Sequence, residues 1–135
     1  MYLLSGENLT CGYNKINILT NCNIGVNKGE IASIVGPNGA GKSTAMKAIF
    51  GLLPLRGGKI ILDGEDITHL KPQEKVLKGM GFVPQNNNIF PSLTVQENLE
   101  MGAFISNNNY SDILDYIYNL FPILKDKQFQ QAGEL

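Results

Sequence analysis

The sequence of 135 residues predicts an α/β fold, and three observations lead to this prediction. Residues 30–36 form a short apolar run rich in β-branched side chains, which is typical of a strand buried on both faces of a parallel sheet. A glycine-rich loop follows, and residues 42–50 then carry apolar side chains at helical spacing. Strand-like segments lie on both sides of this unit, so we expect an antiparallel β-subdomain beside an α/β core.

Turn signals and residue preferences place the other elements of the first hundred residues. Asp63-Gly64 is a favoured hairpin turn, and Pro72 can open a short helix that runs to residue 78, with Gly79 beyond its end. Strands are predicted over four further segments: residues 2–9, 16–26, 57–66 and 81–84.

The last third of the chain is predicted to be helical. Thr94 and Glu97 match a capping box, in which each side chain satisfies a free backbone N–H at a helix start. A later helix over residues 111–121 is amphipathic, and Pro122 ends or kinks it. We expect the apolar face of this helix to be poorly covered; it consists of Ile113, Ile117, Leu120 and Leu124.

Composition excludes several classes of protein. The net charge of −1 and the pI near 5.8 give no electrostatic support for nucleic-acid binding. The sequence has no apolar run of about 20 residues, as a membrane span needs, and its start does not resemble a secretory signal. Cys11 and Cys22 lack metal-ligand spacing, and we expect reduced core residues in a cytosolic protein.

The stretch GPNGAGKST, residues 36–44, carries the strongest chemical signal. Its glycines allow consecutive backbone N–H groups to point inward around an anion, and the following helix start also favours phosphate. Lys42 can reach the β- and γ-phosphates of a nucleotide, and the Ser43 hydroxyl can bind Mg²⁺. The predicted phosphate-binding residues are Gly36, Pro37, Asn38, Gly39, Ala40, Gly41, Lys42, Ser43 and Thr44.

A phosphate loop of this kind occurs in several classes of nucleotide-binding protein, and two of them fit this sequence poorly. A GTPase carries an N-K-x-D guanine-binding motif after the loop, whereas residues 14–17 precede the loop and lack the aspartate. A small-molecule kinase of this fold uses an arginine-rich lid, whereas Arg56 is the one arginine in the sequence.

Several separated motifs, in the right order, resemble the ATP-binding subunits of ABC transporters. ENLTCGYNKINIL, residues 7–19, is similar to the opening strand of that family, and Tyr13 matches its adenine-stacking aromatic residue. GFVPQNNNIFPSLTVQENL, residues 81–99, is similar to the Q-loop region. The resemblance implies that Gln85 binds Mg²⁺ and positions the attacking water. It covers essentially the whole chain and implies ATP and Mg²⁺ as cofactors of an ATP-hydrolysing subunit.

Within this family, the resemblance is to branched-chain amino-acid importers, and to the shorter of their two ATPases. It rests on residues 97–104 and 118–135, while residues 63–70 are also similar to lipopolysaccharide-export ATPases. Urea and short-amide importers and lipopolysaccharide-type ATPases remain alternatives, as does a non-catalytic nucleotide-binding module. The implied partners are a second ATPase subunit, transmembrane permease subunits and, indirectly, a solute-binding protein, with no nucleic acid. The implied location is peripheral, at the cytoplasmic face of the membrane.

The resemblance implies that the sequence ends just before the family's signature motif. We therefore expect a C-terminally truncated P-loop NTPase domain that lacks the signature, the Walker B strand and the switch histidine, and that has no complete catalytic set. The predicted parts are a β-subdomain and P-loop core through the Q-loop, residues 1–104, and the start of a helical subdomain, residues 105–135.

Two acidic residues have a sequence context similar to that of a Walker B metal site. Asp63 and Glu65 follow an apolar run, but they lie where this family has an antiparallel strand and turn. The interpretation that we favour is that Asp63 is a hairpin-turn residue. His69, the one histidine, is predicted to be a surface residue.

Overall fold

The structure, a computed structural model, describes residues 1–104 and 109–135, which form two compact units, Met1–Phe82 and Val83–Leu135. The predicted α/β fold is confirmed. The first unit contains β1 (Leu4–Tyr13), β2 (Ile16–Val26), α1 (Lys42–Phe50), β3 (Gly57–Leu62), β4 (Glu65–Asp66) and α2 (Pro72–Leu77). The second unit contains α3 (Val95–Gly102), α4 (Tyr110–Leu120), α5 (Pro122–Asp126) and a 3₁₀ turn (Ala132–Glu134).

The first unit is built on an antiparallel sheet with the strand order β2-β1-β3-β4. β1 runs further than predicted, to Tyr13, because it pairs with β2 almost to the turn. Gly12 allows this close pairing, since a Cβ there would lie 1.9 Å from the Ile16 carbonyl oxygen. Asn14 turns the chain with φ of 53°, a conformation that asparagine tolerates better than most residues.

Helix α1 packs against this sheet and closes the core of the first unit. One buried cluster joins Ile49 of α1 to Leu9, Ile60 and Ile67. A second cluster joins Ala45 and Ala48 of α1 to Cys11 and Leu19. The helix that follows the glycine loop is therefore fixed on the sheet by its own apolar face. Cys11 is fully buried, and both cysteines are free thiols.

Two predicted strands are not formed. Residues 30–36 and 81–84 belong to no strand, and Ile31, Val35 and Val83 are 98%, 87% and 82% exposed. The prediction was wrong because residue preference is only half of what a strand needs. A strand also needs a neighbour that pairs with its backbone, and no described segment pairs with either run.

The hairpin between β3 and β4 is formed as predicted. Asp63 and Gly64 both have positive φ, 48° and 80°, which the turn requires. Glu65 forms an ion pair with Lys78 at 2.8 Å, and His69 is exposed. These positions agree with the interpretation that Asp63 is a turn residue.

The second unit begins its first helix with the predicted capping box. The Glu97 N–H donates to Thr94 Oγ1 at 3.1 Å, and the Thr94 N–H donates to Glu97 Oε2 at 2.7 Å. α4 ends before Pro122, as predicted. Its buried residue is Tyr118, whereas Leu120 of the predicted apolar face is 54% exposed.

The described helices are short, and the predicted division of the chain lies next to residues outside the described ranges. No helix in the described ranges is long and apolar enough to cross a membrane. The boundary that we predict after residue 104 stays a prediction, and residues 105–108 of the predicted helical part lie outside the described residues.

Candidate functional site

The glycine loop ends in the N-terminus of α1, and this helix end has no side-chain cap. Gly41 is the N-cap residue with φ of 94°, and Gly39 also has a positive φ, 85°. The first turn of α1 contains no acidic residue. The free N–H groups of the first turn therefore keep their partial positive charge, which favours an anionic ligand.

Lys42 adds a full positive charge at the same place. Its Nζ donates to the carbonyl oxygens of Gly36 and Pro37, the latter at 3.1 Å, so the side chain folds back over the loop. The Ala40 N–H also donates to the Pro37 oxygen, at 3.2 Å, and closes a tight turn. The ammonium group is thus bound to neutral carbonyl groups of the loop.

The packing of β2 on α1 fixes the position of the loop. A Cβ at Gly41 would lie 2.7 Å from Leu19 Cδ2 and 3.2 Å from Ile18 Cγ2, so only glycine fits there. Thr44 is 6% exposed and anchors the first turn, whereas the Ser43 side chain is exposed. A Mg²⁺ ligand at Ser43 would therefore face the solvent side of the loop.

The structure brings Tyr13 and most of the glycine loop to one cleft of 310 Å³. Tyr13 is 45% exposed, which leaves much of its side chain accessible. Sequence reasoning missed Ile18, which also lines the cleft and is 41% exposed. Neighbouring residues of a strand face opposite sides, so the position of Ile18 beside Leu19 could have indicated that one of the two is exposed. The loop residues that line the cleft are Asn38, Gly39, Gly41, Lys42, Ser43 and Thr44.

The cleft combines two kinds of surface. The uncapped helix end and the Lys42 ammonium can bind a polyphosphate. Tyr13 and Ile18, an aromatic and an aliphatic side chain, line the same cleft and can contact a flat ring. The residues present therefore fit a nucleotide.

Gln85, the predicted Q-loop residue, belongs to the second unit and is exposed. Its proposed contact with Mg²⁺ and water stays a prediction.

The opposite end of α1 carries a feature that sequence reasoning missed. Lys75 of α2 is fully buried, and its Nζ donates to the Ile49 carbonyl oxygen at 2.7 Å. That oxygen is in the last turn of α1, where carbonyl groups lack partners within the helix. Burial lowers the pKa of the Lys75 ammonium group. No sequence signal indicated this burial, because α2 also contains Val76 and Leu77, which are the more usual residues to be buried.

The model of the ABC transporter family matches residues 19–134 of this chain. The chain belongs to the ABC transporter family. Among curated members, the probable branched-chain amino acid transport ATP-binding protein LivF of Archaeoglobus fulgidus is 37% identical over 134 residues. BraG of Pseudomonas aeruginosa, a high-affinity branched-chain amino acid transport ATP-binding protein, is 36% identical over 134 residues. Both alignments cover 98% of this chain, and they cover 57% and 58% of the two relatives.

Other ABC transporter proteins match over less of the chain. The lipopolysaccharide export system ATP-binding protein LptB of Haemophilus influenzae is 41% identical over 99 residues, which are 73% of this chain and 41% of LptB.

Solved structures of the family confirm the fold. A nucleotide-free ATP-binding cassette from an ABC transporter superposes with a TM-score of 0.80 at 30% identity. The ADP conformation of the cassette MJ1267 superposes with a TM-score of 0.78, also at 30% identity. Each match covers 100% of this chain and 59% of the solved chain. The chain thus spans little more than half the length of the relatives that it matches.

Proposed function

We propose that this chain binds ATP with Mg²⁺ in the cleft between Tyr13 and the glycine loop. The observation that carries the proposal is the shared cleft, because it joins an uncapped helix N-terminus to an exposed aromatic ring. Membership of a family whose relatives are named ATP-binding proteins supports the same ligand.

The residues of the cleft have separate roles in this proposal. The backbone of residues 36–44 and the Lys42 ammonium bind the β- and γ-phosphates, and the Ser43 hydroxyl is a ligand of Mg²⁺. Tyr13 stacks on the adenine. Lys42 exchanges its present acceptors, Gly36 and Pro37, for phosphate oxygens of higher charge density. Gln85 contributes a second metal contact and positions the attacking water. Mg²⁺ supplies charge neutralisation at the phosphates.

The whole protein is proposed to be the ATP-hydrolysing subunit of an importer for branched-chain amino acids. Similarity to LivF and BraG covers 98% of the chain, whereas similarity to LptB covers 73%, and this difference favours the amino-acid importer. The subunit would pair with a second ATPase subunit and with permease subunits at the cytoplasmic face of the membrane, with a solute-binding protein outside.

The present 135 residues are proposed to bind ATP without steady hydrolysis. The relatives have a further two-fifths of their length beyond what this chain matches, and we infer that the remaining catalytic groups lie there. Phosphate release in the presence of Mg²⁺ and ATP should stay at the level of a Lys42→Ala control. Turnover that depends on Lys42 would contradict this part of the proposal.

Titration calorimetry of Mg-ATP against four forms of the chain tests the binding site. Lys42→Ala should weaken ATP binding roughly 10- to 100-fold, the usual range for a hydrogen bond to a charged group. Tyr13→Ala should weaken it about tenfold, within the range for a lost base–aromatic stack. Lys47→Ala removes a lysine from the other end of the same helix and should leave affinity within twofold of the parent chain.

Lys47→Ala also serves as the matched control for net charge. Equal loss of affinity in Lys42→Ala and Lys47→Ala would mean that charge alone attracts the nucleotide, and would overturn the loop as the phosphate site. Unchanged affinity in Tyr13→Ala would remove the base-stacking role and leave the phosphate role intact.

A further inference from the structure

Arg56 lies just before β3 and holds the turn between β1 and β2 from both sides. Its Nη1 donates to Asn17 Oδ1 at 2.6 Å, and its Nη2 donates to the Asn14 carbonyl oxygen. Its own N–H donates to the Thr10 carbonyl oxygen at 2.7 Å, so the backbone of Arg56 is fixed on β1. One guanidinium group thus bridges Asn14 in the turn and Asn17 at the start of β2.

The part of the hairpin that Arg56 bridges has few other attachments. Tyr13 is the last residue of β1, pairs with Ile16 across the turn and is 45% exposed. Gly12 beside it has no side chain, and Asn14 and Ile16 are exposed. The phenol ring therefore extends from a hairpin end that is held by backbone pairing and by the arginine.

We propose that Arg56 is a positioning residue for the base-binding side of the cleft, acting through the hairpin turn that carries Tyr13. This inference rests on the proposed binding of a nucleotide base by Tyr13. An arginine suits the task because its planar group presents several donors in a fixed geometry, which a lysine ammonium does not reproduce. The phosphate-binding loop has no contact with Arg56 among the described hydrogen bonds, so its affinity for phosphate should not depend on Arg56.

The test measures two ligands, Mg-ATP and inorganic triphosphate, on variants of the whole chain. Arg56→Gln and Arg56→Lys should weaken ATP binding about three- to tenfold, because a mobile tyrosine loses part of its stacking contact. Triphosphate affinity should stay within twofold. Asn17→Ala should weaken ATP binding in the same way, and Asn17→Asp, which keeps an acceptor, should restore it.

Lys59→Gln is the matched control, since Lys59 is a cation of β3, close to Arg56 in sequence, whose ion pair with Glu7, at 3.3 Å, lies away from the turn. It should leave both affinities unchanged. Amide hydrogen exchange at Ile16 should be faster in Arg56→Gln than in Lys59→Gln, which reports on the turn directly.

The outcomes separate this inference from the proposed function. If Tyr13→Ala leaves ATP affinity unchanged, base stacking fails and the role of Arg56 fails with it. If Tyr13→Ala weakens ATP binding while Arg56→Gln and Asn17→Ala do not, only the role of Arg56 is overturned. Loss of triphosphate binding in both the Arg56 and Asn17 variants would show an effect on the fold of the whole unit, and would also overturn it.

Discussion

The N-termini of α1 and α3 differ in whether side chains satisfy their free backbone N–H groups. At α3, the Thr94 and Glu97 side chains form a reciprocal capping box, so the helix satisfies its own free N–H groups. At α1, the N-cap is Gly41 in a left-handed conformation, and no side chain accepts from the first turn. The difference teaches that the first turn of α1 has N–H donors that no capping side chain occupies, as the proposed phosphate site requires.

The largest expected effect on stability comes from placing a side chain at Gly41, the uncapped N-terminus of α1. Gly41→Ala adds a Cβ at φ of 94° and 2.7 Å from Leu19 Cδ2. We expect a loss of about 2–4 kcal/mol in the free energy of unfolding, from left-handed strain and overpacking together. Chemical denaturation followed by circular dichroism measures it.

Gly39→Ala is the matched control for backbone strain, since Gly39 has φ of 85° but no atom within 4 Å of a Cβ. It should lose only about 1–2 kcal/mol, the strain contribution. Equal losses in the two variants would show that packing of Leu19 against the loop is unimportant.

A smaller effect is expected from removing the cap of α3. Thr94→Ala should lower the free energy of unfolding by about 1 kcal/mol, the usual value for a lost N-cap. ATP affinity should not change, because α3 has no part in the proposed nucleotide site. Thr94→Ser keeps the hydroxyl group and should retain most of the stability. A similar loss in Thr94→Ser would mean that the methyl group of the threonine matters more than its hydrogen bond.

The smallest expected effect on stability concerns the C-terminus of α1, where the buried Lys75 donates to the Ile49 carbonyl oxygen. Because burial lowers the pKa of Lys75 below its ordinary value of 10.5, the unfolded chain binds more protons between the two values. The stability contributed by this residue should therefore rise as the pH increases toward 10.5. Urea denaturation at several pH values between about 7.5 and 9.5 measures the slope.

Lys75→Met is the control for this slope, because it has a similar length and no titrating group. Cys11 and the tyrosines Tyr110 and Tyr118 have raised pKa values, and they act in the opposite direction at high pH. They are present in both proteins, so the difference between the two proteins cancels their effect. A constant difference across the pH range would contradict a buried, destabilised ammonium group.

The elements that the sequence predicted well are those with a complete local signal. β2 and α1 have the predicted bounds, because alternation, glycine punctuation and helical spacing all agree at residues 16–26 and 42–50. The capping box of α3 and the Asp63-Gly64 turn are also local patterns, so no distant partner is needed to form them.

The features that were predicted wrongly or not at all depend on residues that are distant in sequence. The runs at residues 30–36 and 81–84 have strand-forming side chains, but pairing is decided by other segments of the chain. Burial of Lys75 depends on the contact between α2 and the end of α1. The hydrogen bonds of Arg56 join residues about forty positions apart in sequence. At the candidate site, the glycine loop was predicted from its motif, whereas Ile18 became visible only through the packing of β2 on α1.

The folded-back Lys42 has a consequence for how the cleft recognises its ligand. Its ammonium group already donates to the Gly36 and Pro37 carbonyl oxygens, so an incoming phosphate would replace these neutral acceptors with charged ones. Such an exchange responds to charge and is indifferent to the base at the far end of the ligand. Discrimination among nucleotides would then fall to the hairpin side of the cleft, and a chain with a loosened hairpin should accept any triphosphate almost equally well.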